Sequence, residues 1–195
     1  MFRIPDNHRL LLASKSPRRR ELMKAAGLKF DVVERNFDES YPGSLKGREI
    51  AEYLATAKAM QMTEEYTGSG TVIITADTIV WCNGEVLPKP ANYGDAFRIL
   101  KTISGKTHEV ITGICLAKHG KHHTFSETTK VSFDILTDEE IHYYIVNHKP
   151  YDKAGAYGIQ EWIGLIGNSS IEGSYFNVVG MPVNRLIREL VLFLK

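Results

Sequence analysis

A short apolar run at residues 9–13 leads into Ser14-Lys15-Ser16-Pro17-Arg18-Arg19-Arg20, so two hydroxyls, a starting helix and several guanidinium groups meet within one turn. That combination suits phosphate oxygens, because a helix N-terminus offers unpaired N–H groups and arginine a planar fork of donors. The same residues also describe an ordinary helix start, with Ser16 as N-cap and the arginines on a solvated face. Asp77 follows a β-branched apolar stretch, 71–76, and is expected where a buried strand ends, the side on which α/β sheets hold ligands. A carboxylate there can bind a hard cation or take a proton from water, or it can simply stabilise a turn. Asp38 and Glu39 lie in a polar segment and offer a second carboxylate, again with solvation as the plain alternative.

Lys58, Lys89 and Lys153 are candidate cations for a polyphosphate, each with surface lysine as the default reading; Lys89 is restrained between Pro88 and Pro90. The run Asp152-Lys153-Ala154-Gly155-Ala156-Tyr157-Gly158-Ile159-Gln160 lets backbone approach a ligand closely, or serves as a packed glycine turn. Gln160 carries both a donor and an acceptor and can read a base edge.

Three other patterns fail. Ser104-Gly105-Lys106-Thr107 echoes a P-loop, but it follows a helix and precedes a strand, the reverse of the required order. His119, His122 and His123 flank Gly120 and Lys121 in what reads as a hairpin tip, a setting for solvated side chains rather than metal ligation. Arg48-Glu49 and Glu64-Glu65 share a helix without the catalytic helix pattern of Nudix hydrolases.

The elements that must position these groups follow from periodicity. Residues 9–13 read as a strand, Pro17 opens a helix with Leu22, Met23 and Ala26 on its apolar face, Gly27 stops it, and Phe30, Val32 and Val33 start a second strand. After a polar loop at 35–46, Ile50, Tyr53, Leu54, Ala57 and Met60 recur at helical spacing with Lys58 beside the stripe. Asn83-Gly84 between Val80 and Val86 predicts a tight hairpin. Ala96, Ile99, Leu100 and Ile103 predict a helix closed by Gly105; the stretches 107–118 and 124–135 are expected to pair antiparallel. Thr137 and Glu140 form a capping-box pattern for a helix to about Val146, a glycine-rich segment covers 154–180, and Pro182 opens a terminal helix carrying Val183, Leu186, Ile187, Leu190 and Val191.

With 195 residues and no linker or repeat, the chain is expected to be one α/β domain, 1–195, with two lobes around a cleft. Lys and Arg total 24 against 23 Asp and Glu, a net charge of +1, so no global field marks a nucleic-acid binder and any anion site must be built locally. Cys82 and Cys115 lack metal-site or disulfide-framework spacing, which fits a reducing cytoplasm. The N-terminal residues 1–6 lack the apolar stretch of a signal peptide, and the run 190–194 is too short for a membrane span, so a soluble protein is expected.

In order along nearly the whole chain, Leu12-Ala13-Ser14-Lys15-Ser16-Pro17-Arg18-Arg19, Ala76-Asp77-Thr78, Lys89-Pro90, Ser104-Gly105-Lys106-Thr107-His108, the 152–160 run, Gly173-Ser174-Tyr175 and Val178-Val179-Gly180-Met181-Pro182 closely resemble the Maf family of nucleotide pyrophosphatases. The resemblance implies an α/β fold of the Maf and inosine-triphosphatase type, a central mixed sheet with flanking helices, and often a homodimer. It also implies hydrolysis of a nucleoside triphosphate to monophosphate and pyrophosphate with Mg²⁺ or Mn²⁺, and the 152–160 run resembles the branch that cleaves dTTP and UTP. By position, Asp77 matches the proton acceptor; Arg18, Thr78 and Gln160 match specificity positions; Ser14, Ser16, Arg19, Lys58 and Lys89 match substrate-binding positions; and Glu39 with Asp77 would hold the metal. Lys15, Pro88 and Glu161-Trp162 depart from the family pattern, the last beside the expected base pocket. Action mainly on modified pyrimidine triphosphates, or nucleotide binding in control of cell division and septum formation, are the alternative roles.

Overall fold

The computed structural model describes residues 8–66 and 70–195. The first six residues, read above for a leader, lie outside them. A seven-stranded sheet runs through the molecule: β1 (Arg9–Ala13), β2 (Asp31–Val33), β3 (Thr71–Cys82), β4 (Glu85–Leu87), β5 (Thr107–Lys118), β6 (Lys121–Phe133) and β7 (Asn168–Glu172), in the order β2-β1-β3-β5-β6-β7 with β4 also on β3. β1 pairs parallel with β2 and β3, whereas β3, β5, β6 and β7 are antiparallel neighbours, so the sheet is mixed. The helices are α1 (Pro17–Ala25), α2 (Arg48–Thr63), α3 (Tyr93–Ile103), α4 (Asp138–His148), α5 (Trp162–Gly167), α6 (Tyr175–Val179) and α7 (Val183–Phe193), and a short 3₁₀ turn covers Ala154–Ala156.

The local signals act as their chemistry requires. Asn83 and Gly84 both take positive φ, 53° and 84°, in the turn joining β3 to β4. Thr137 and Glu140 exchange side-chain and backbone bonds in a complete capping box, and α4 runs on to His148, past the expected end. Leu186, Leu190 and Phe193 of α7 pack with Met23 of α1 and with Leu12, Ile74 and Ile114 of the sheet.

Four expectations are corrected. The buried face of α2 is Ile50, Ala51, Leu54, Ala55, Lys58, Ala59 and Met62, with Tyr53 42% exposed, so Lys58 belongs to the inward stripe. An ammonium has to be paired to sit there, and it is. β6 spans Lys121–Phe133 rather than 124–135, leaving His122 and His123 on the strand. The glycine-rich segment holds α5, β7 and α6, whose partners are distant in sequence: Val131 of β6 pairs with Ile171 of β7.

The fourth correction concerns the site. Asp77 does not end a strand but sits inside β3, because β5 pairs with β3 continuously from Ile73 to Trp81. On its other edge β3 pairs with β1 only up to Ile74 and with β4 only from Val80. Residues 75–79 therefore face a gap in the sheet, where β1 has ended and the 14–19 turn begins.

Candidate active site

Side chains of a strand alternate between faces, so the gap exposes two different chemistries. Thr75 and Asp77 point toward α2: Thr75 Oγ1 donates to Ala55 O at 2.6 Å, and the Asp77 carboxylate accepts a hydrogen bond from Lys58 Nζ. Gly113 lies directly opposite Asp77 on β5, and a Cβ there would come within 2.2 Å of Ala51 O. The missing side chain lets α2 lie close enough to the sheet for Lys58 to meet Asp77.

Lys58 Nζ also donates to Glu39 Oε1 at 3.1 Å, and Lys89 Nζ donates to Glu39 Oε2 at 3.0 Å. The result is a run of alternating charge, Asp77, Lys58, Glu39, Lys89, from a buried strand to the half-exposed Lys89. Burial pushes the Glu39 carboxyl upward, but Lys58 and Lys89 outweigh it and hold the group below its ordinary range.

Ala76 and Thr78 point to the other face, toward α1, α6 and α7. Ser16 caps α1, its Oγ accepting from Arg19 N at 3.4 Å, and Ser14 Oγ accepts from Ser16 N at 3.2 Å. Arg19 is anchored rather than free. Its Nε donates to Gly180 O at 3.0 Å, Nη1 to Ala76 O at 2.8 Å and to Ser14 Oγ at 3.4 Å, and Nη2 to Thr78 Oγ1 at 2.9 Å. A guanidinium has five donors, so about one is left for a ligand. Burial lowers the Arg19 pKa, opposed by the attraction of Asp77. Arg19 satisfies the β3 carbonyl that the gap leaves without a strand partner and ties α1, β3 and the end of α6 together.

Arg18 reaches the other way, Nη1 donating to Asp152 Oδ2 at 3.0 Å. Lys153, a candidate cation, is instead paired on both sides, with Asp152 Oδ1 at 2.8 Å and Glu161 Oε1 at 3.1 Å. Gly155 takes φ 70° against Val80, a conformation and a space that exclude a larger residue, and this turn carries the chain past the cleft to Gln160. Gln160 is exposed, and its amide has no hydrogen-bond partner among the described residues. Ser14, Ser16, Arg18, Arg19, Glu39, Lys58, Asp77, Thr78, Lys89 and Gln160 thus line a single cleft of about 810 Å³. Asp152, the first residue of the 152–160 run, serves as the partner of Arg18, whereas Thr112 and Asn177, which bond behind Thr78, carry no sequence signal.

The rejected patterns have structural explanations. Ser104 Oγ accepts from Leu136 N at 2.8 Å, Gly105 N donates to Asp134 O at 3.0 Å, and His108 Nε2 lies 2.7 Å from the Tyr157 hydroxyl, so the 104–108 segment is a structural tie outside the cleft. His123 pairs with Glu189 at 2.9 Å. Among the described residues no group of three or more His, Cys, Asp or Glu side chains could hold a metal ion, and no helix is long and apolar enough to cross a membrane. The cleft still offers hard oxygen donors: Glu39 and Asp77 converge on one cation, Lys58, and Asp77 Oδ2 takes no hydrogen bond from a described residue. Two carboxylates completed by substrate phosphates are a donor set that fits Mg²⁺.

A family model described as "Maf-like protein" matches residues 9–193. The chain is 51% identical over 186 residues to a protein of Phocaeicola vulgatus named dTTP/UTP pyrophosphatase, covering 95% of this chain and 96% of that one. It is 47% identical over 188 residues to the protein of the same name from Bacteroides thetaiotaomicron, with the same coverage of 95% and 96%. A solved dITP/XTP pyrophosphatase from Mycobacterium abscessus aligns with 95% of this chain and 98% of its own, at 14% identity and a TM-score of 0.45, too low to build on. With a match that runs from β1 to the last turn of α7, the chain belongs to the Maf family.

Proposed function

We propose that this protein hydrolyses pyrimidine nucleoside triphosphates, dTTP and UTP, to the monophosphate and pyrophosphate. The observation that carries the proposal is Asp77 in the sheet gap, buried to 8% exposure and flanked by Lys58, with Glu39 and Lys89 beyond it. Relatives named dTTP/UTP pyrophosphatase at 51% and 47% identity support the choice of substrate.

Asp77 accepts a proton from water as the water oxygen attacks the α-phosphorus, and the bond to the bridging oxygen breaks to release pyrophosphate. Lys58 and Lys89 stabilise the charge gathering on the phosphate oxygens, and Ser14, Ser16 and the remaining Arg19 donor hold the triphosphate against the α1 turn. Glu39, together with the substrate phosphates, would hold Mg²⁺ or Mn²⁺, which when bound neutralises phosphate charge as a Lewis acid, and Asp77 Oδ2 stays open for the proton. Gln160, Thr78 and Arg18 surround the base end and set specificity. A cytoplasmic location, supported by both cysteines being free and buried, and a homodimer belong to the same proposal.

The test is pyrophosphate release, scored against phosphate release, from UTP, dTTP, CTP and modified pyrimidine triphosphates with added Mg²⁺ or Mn²⁺. Pyrophosphate from UTP and dTTP, reduced at least about a hundredfold in Asp77→Asn, is expected. Phosphate as the product, or an Asp77→Asn variant as active as wild type, overturns the proposal.

A further inference from the structure

Thr78 meets the cleft with a hydroxyl bonded on two sides: Arg19 Nη2 donates to it at 2.9 Å, and Thr112 Oγ1 lies 3.0 Å away. Thr112 is directly across the ladder on β5 and fully buried. Its Oγ1 lies 3.2 Å from the main-chain carbonyl of Asn177, an atom that can only accept. A hydroxyl has one proton. The Thr112 proton is spent on Asn177, so the bond between the two threonines has to run from the Thr78 O–H to Thr112 Oγ1.

The Asn177 carbonyl is not free to turn away. Asn177 is completely buried, its Nδ2 donates to Val110 O at 2.9 Å and Thr129 Oγ1 at 3.0 Å, and its N–H donates to Ser174 Oγ at 3.3 Å. With its proton committed inward and one lone pair taken by Arg19, Thr78 keeps a single lone pair for a ligand.

We propose that Thr112, oriented by the Asn177 carbonyl, is a positioning residue that fixes Thr78 as a pure hydrogen-bond acceptor toward the cleft and so selects pyrimidine rings carrying N3–H. Uracil and thymine donate N3–H to that lone pair. Cytosine sets its bare N3 lone pair against it, and in this partly buried position such a mismatch discriminates between the two rings. Gln160, whose amide can rotate, takes the exocyclic oxygen. The inference rests on the pyrimidine-nucleotide reading of the cleft.

Thr112→Val removes the acceptor inside and releases the Thr78 proton, which can then turn toward cytosine N3. The experiment measures kcat/KM for UTP and CTP, and calorimetric binding of UMP, CMP and 3-methyl-UMP, on wild type, Thr112→Val, Thr112→Ala and Thr112→Ser. Wild type should bind UMP at least about tenfold tighter than CMP or 3-methyl-UMP. The CTP:UTP ratio should rise about tenfold in the valine and alanine variants and return to the wild-type value in serine. Equal wild-type binding of UMP and CMP overturns the inference, as does a valine or alanine ratio unchanged from wild type, or a serine variant shifted as far as valine. If wild type binds UMP selectively but releases no pyrophosphate from UTP, the hydrolytic function fails and this inference stands.

Discussion

Lys58 and Asp77 form a buried ion pair between α2 and β3, with side-chain exposures of 7% and 11%, and the pair sits where the sheet lacks a strand on one edge. Two charges at such low exposure stabilise the fold only as partners, because either one alone keeps its desolvation cost. Glu39 approaches the same ammonium from the 35–46 loop, which gives Lys58 a second carboxylate and brings that loop to the cleft.

Removing Lys58 and neutralising Asp77 should therefore have different consequences. Lys58→Met leaves a buried carboxylate unpaired, and we expect a loss of about 3–5 kcal/mol in urea unfolding together with loss of activity. Asp77→Asn keeps an acceptor for Lys58 and should stay within about 1–2 kcal/mol of wild type while losing turnover. Equal destabilisation by both would show that Glu39 and the amide oxygen introduced by Asp77→Asn do not compensate the Lys58 ammonium once the Asp77 charge is gone.

Arg18 and Arg19 are neighbours with opposite expected phenotypes. Arg19→Lys cannot reproduce bonds to Gly180, Ala76, Ser14 and Thr78 at once, so it should cost about 2–4 kcal/mol and lower the melting temperature. Arg18→Ala breaks a partly exposed pair with Asp152, worth at most about 1 kcal/mol, and should change nucleotide preference with stability nearly unchanged. Thermal melts beside kinetics on UTP and CTP check both.

His108 should make stability depend on pH. It is 2% exposed, and burial lowers its pKa from 6.5 to about 4. The folded value lies below the unfolded one, so between those limits the unfolded chain binds the extra proton and stability is lost as pH falls from about 6.5 toward 4. The loss is on the order of 3 kcal/mol, and His108→Gln should flatten that part of the profile. Urea unfolding of both proteins across this range, compared at each pH, isolates the histidine.

Gly113→Ala tests the approach of α2. The added Cβ would meet Ala51 O at 2.2 Å and Glu52 N at 2.7 Å, both backbone atoms that yield only if the helix moves. Overpacking of this kind costs about 1–3 kcal/mol, and because the helix carries Lys58, kcat should fall with it. A variant of normal stability and kcat would show that α2 is not held by this contact.

Much of the molecule could be read along the chain because its signals are local. The Asn83-Gly84 turn, the Thr137 capping box, the Ser16 cap and the apolar faces of α3 and α7 depend on residues a few positions apart, and all of them form. The ordered motifs also contain Ser14, Ser16, Arg18, Arg19, Asp77, Thr78, Lys89 and Gln160, which line the cleft. Pairing over long distance decided the rest. Asp77 lies inside a strand because β5, about 35 residues later, continues the ladder past the end of β1, and no neighbour of Asp77 in sequence carries that information. Lys58 reads as a surface lysine until Asp77 and Glu39 are folded against it. The donor direction of Thr78 depends on Thr112 and on a carbonyl at Asn177, three segments joined only in the folded sheet. Residue types and order along the chain determined which chemical groups are present; tertiary structure alone decided which of their protons, lone pairs and charges are left for a ligand, because those are whatever the packed interior has not already used.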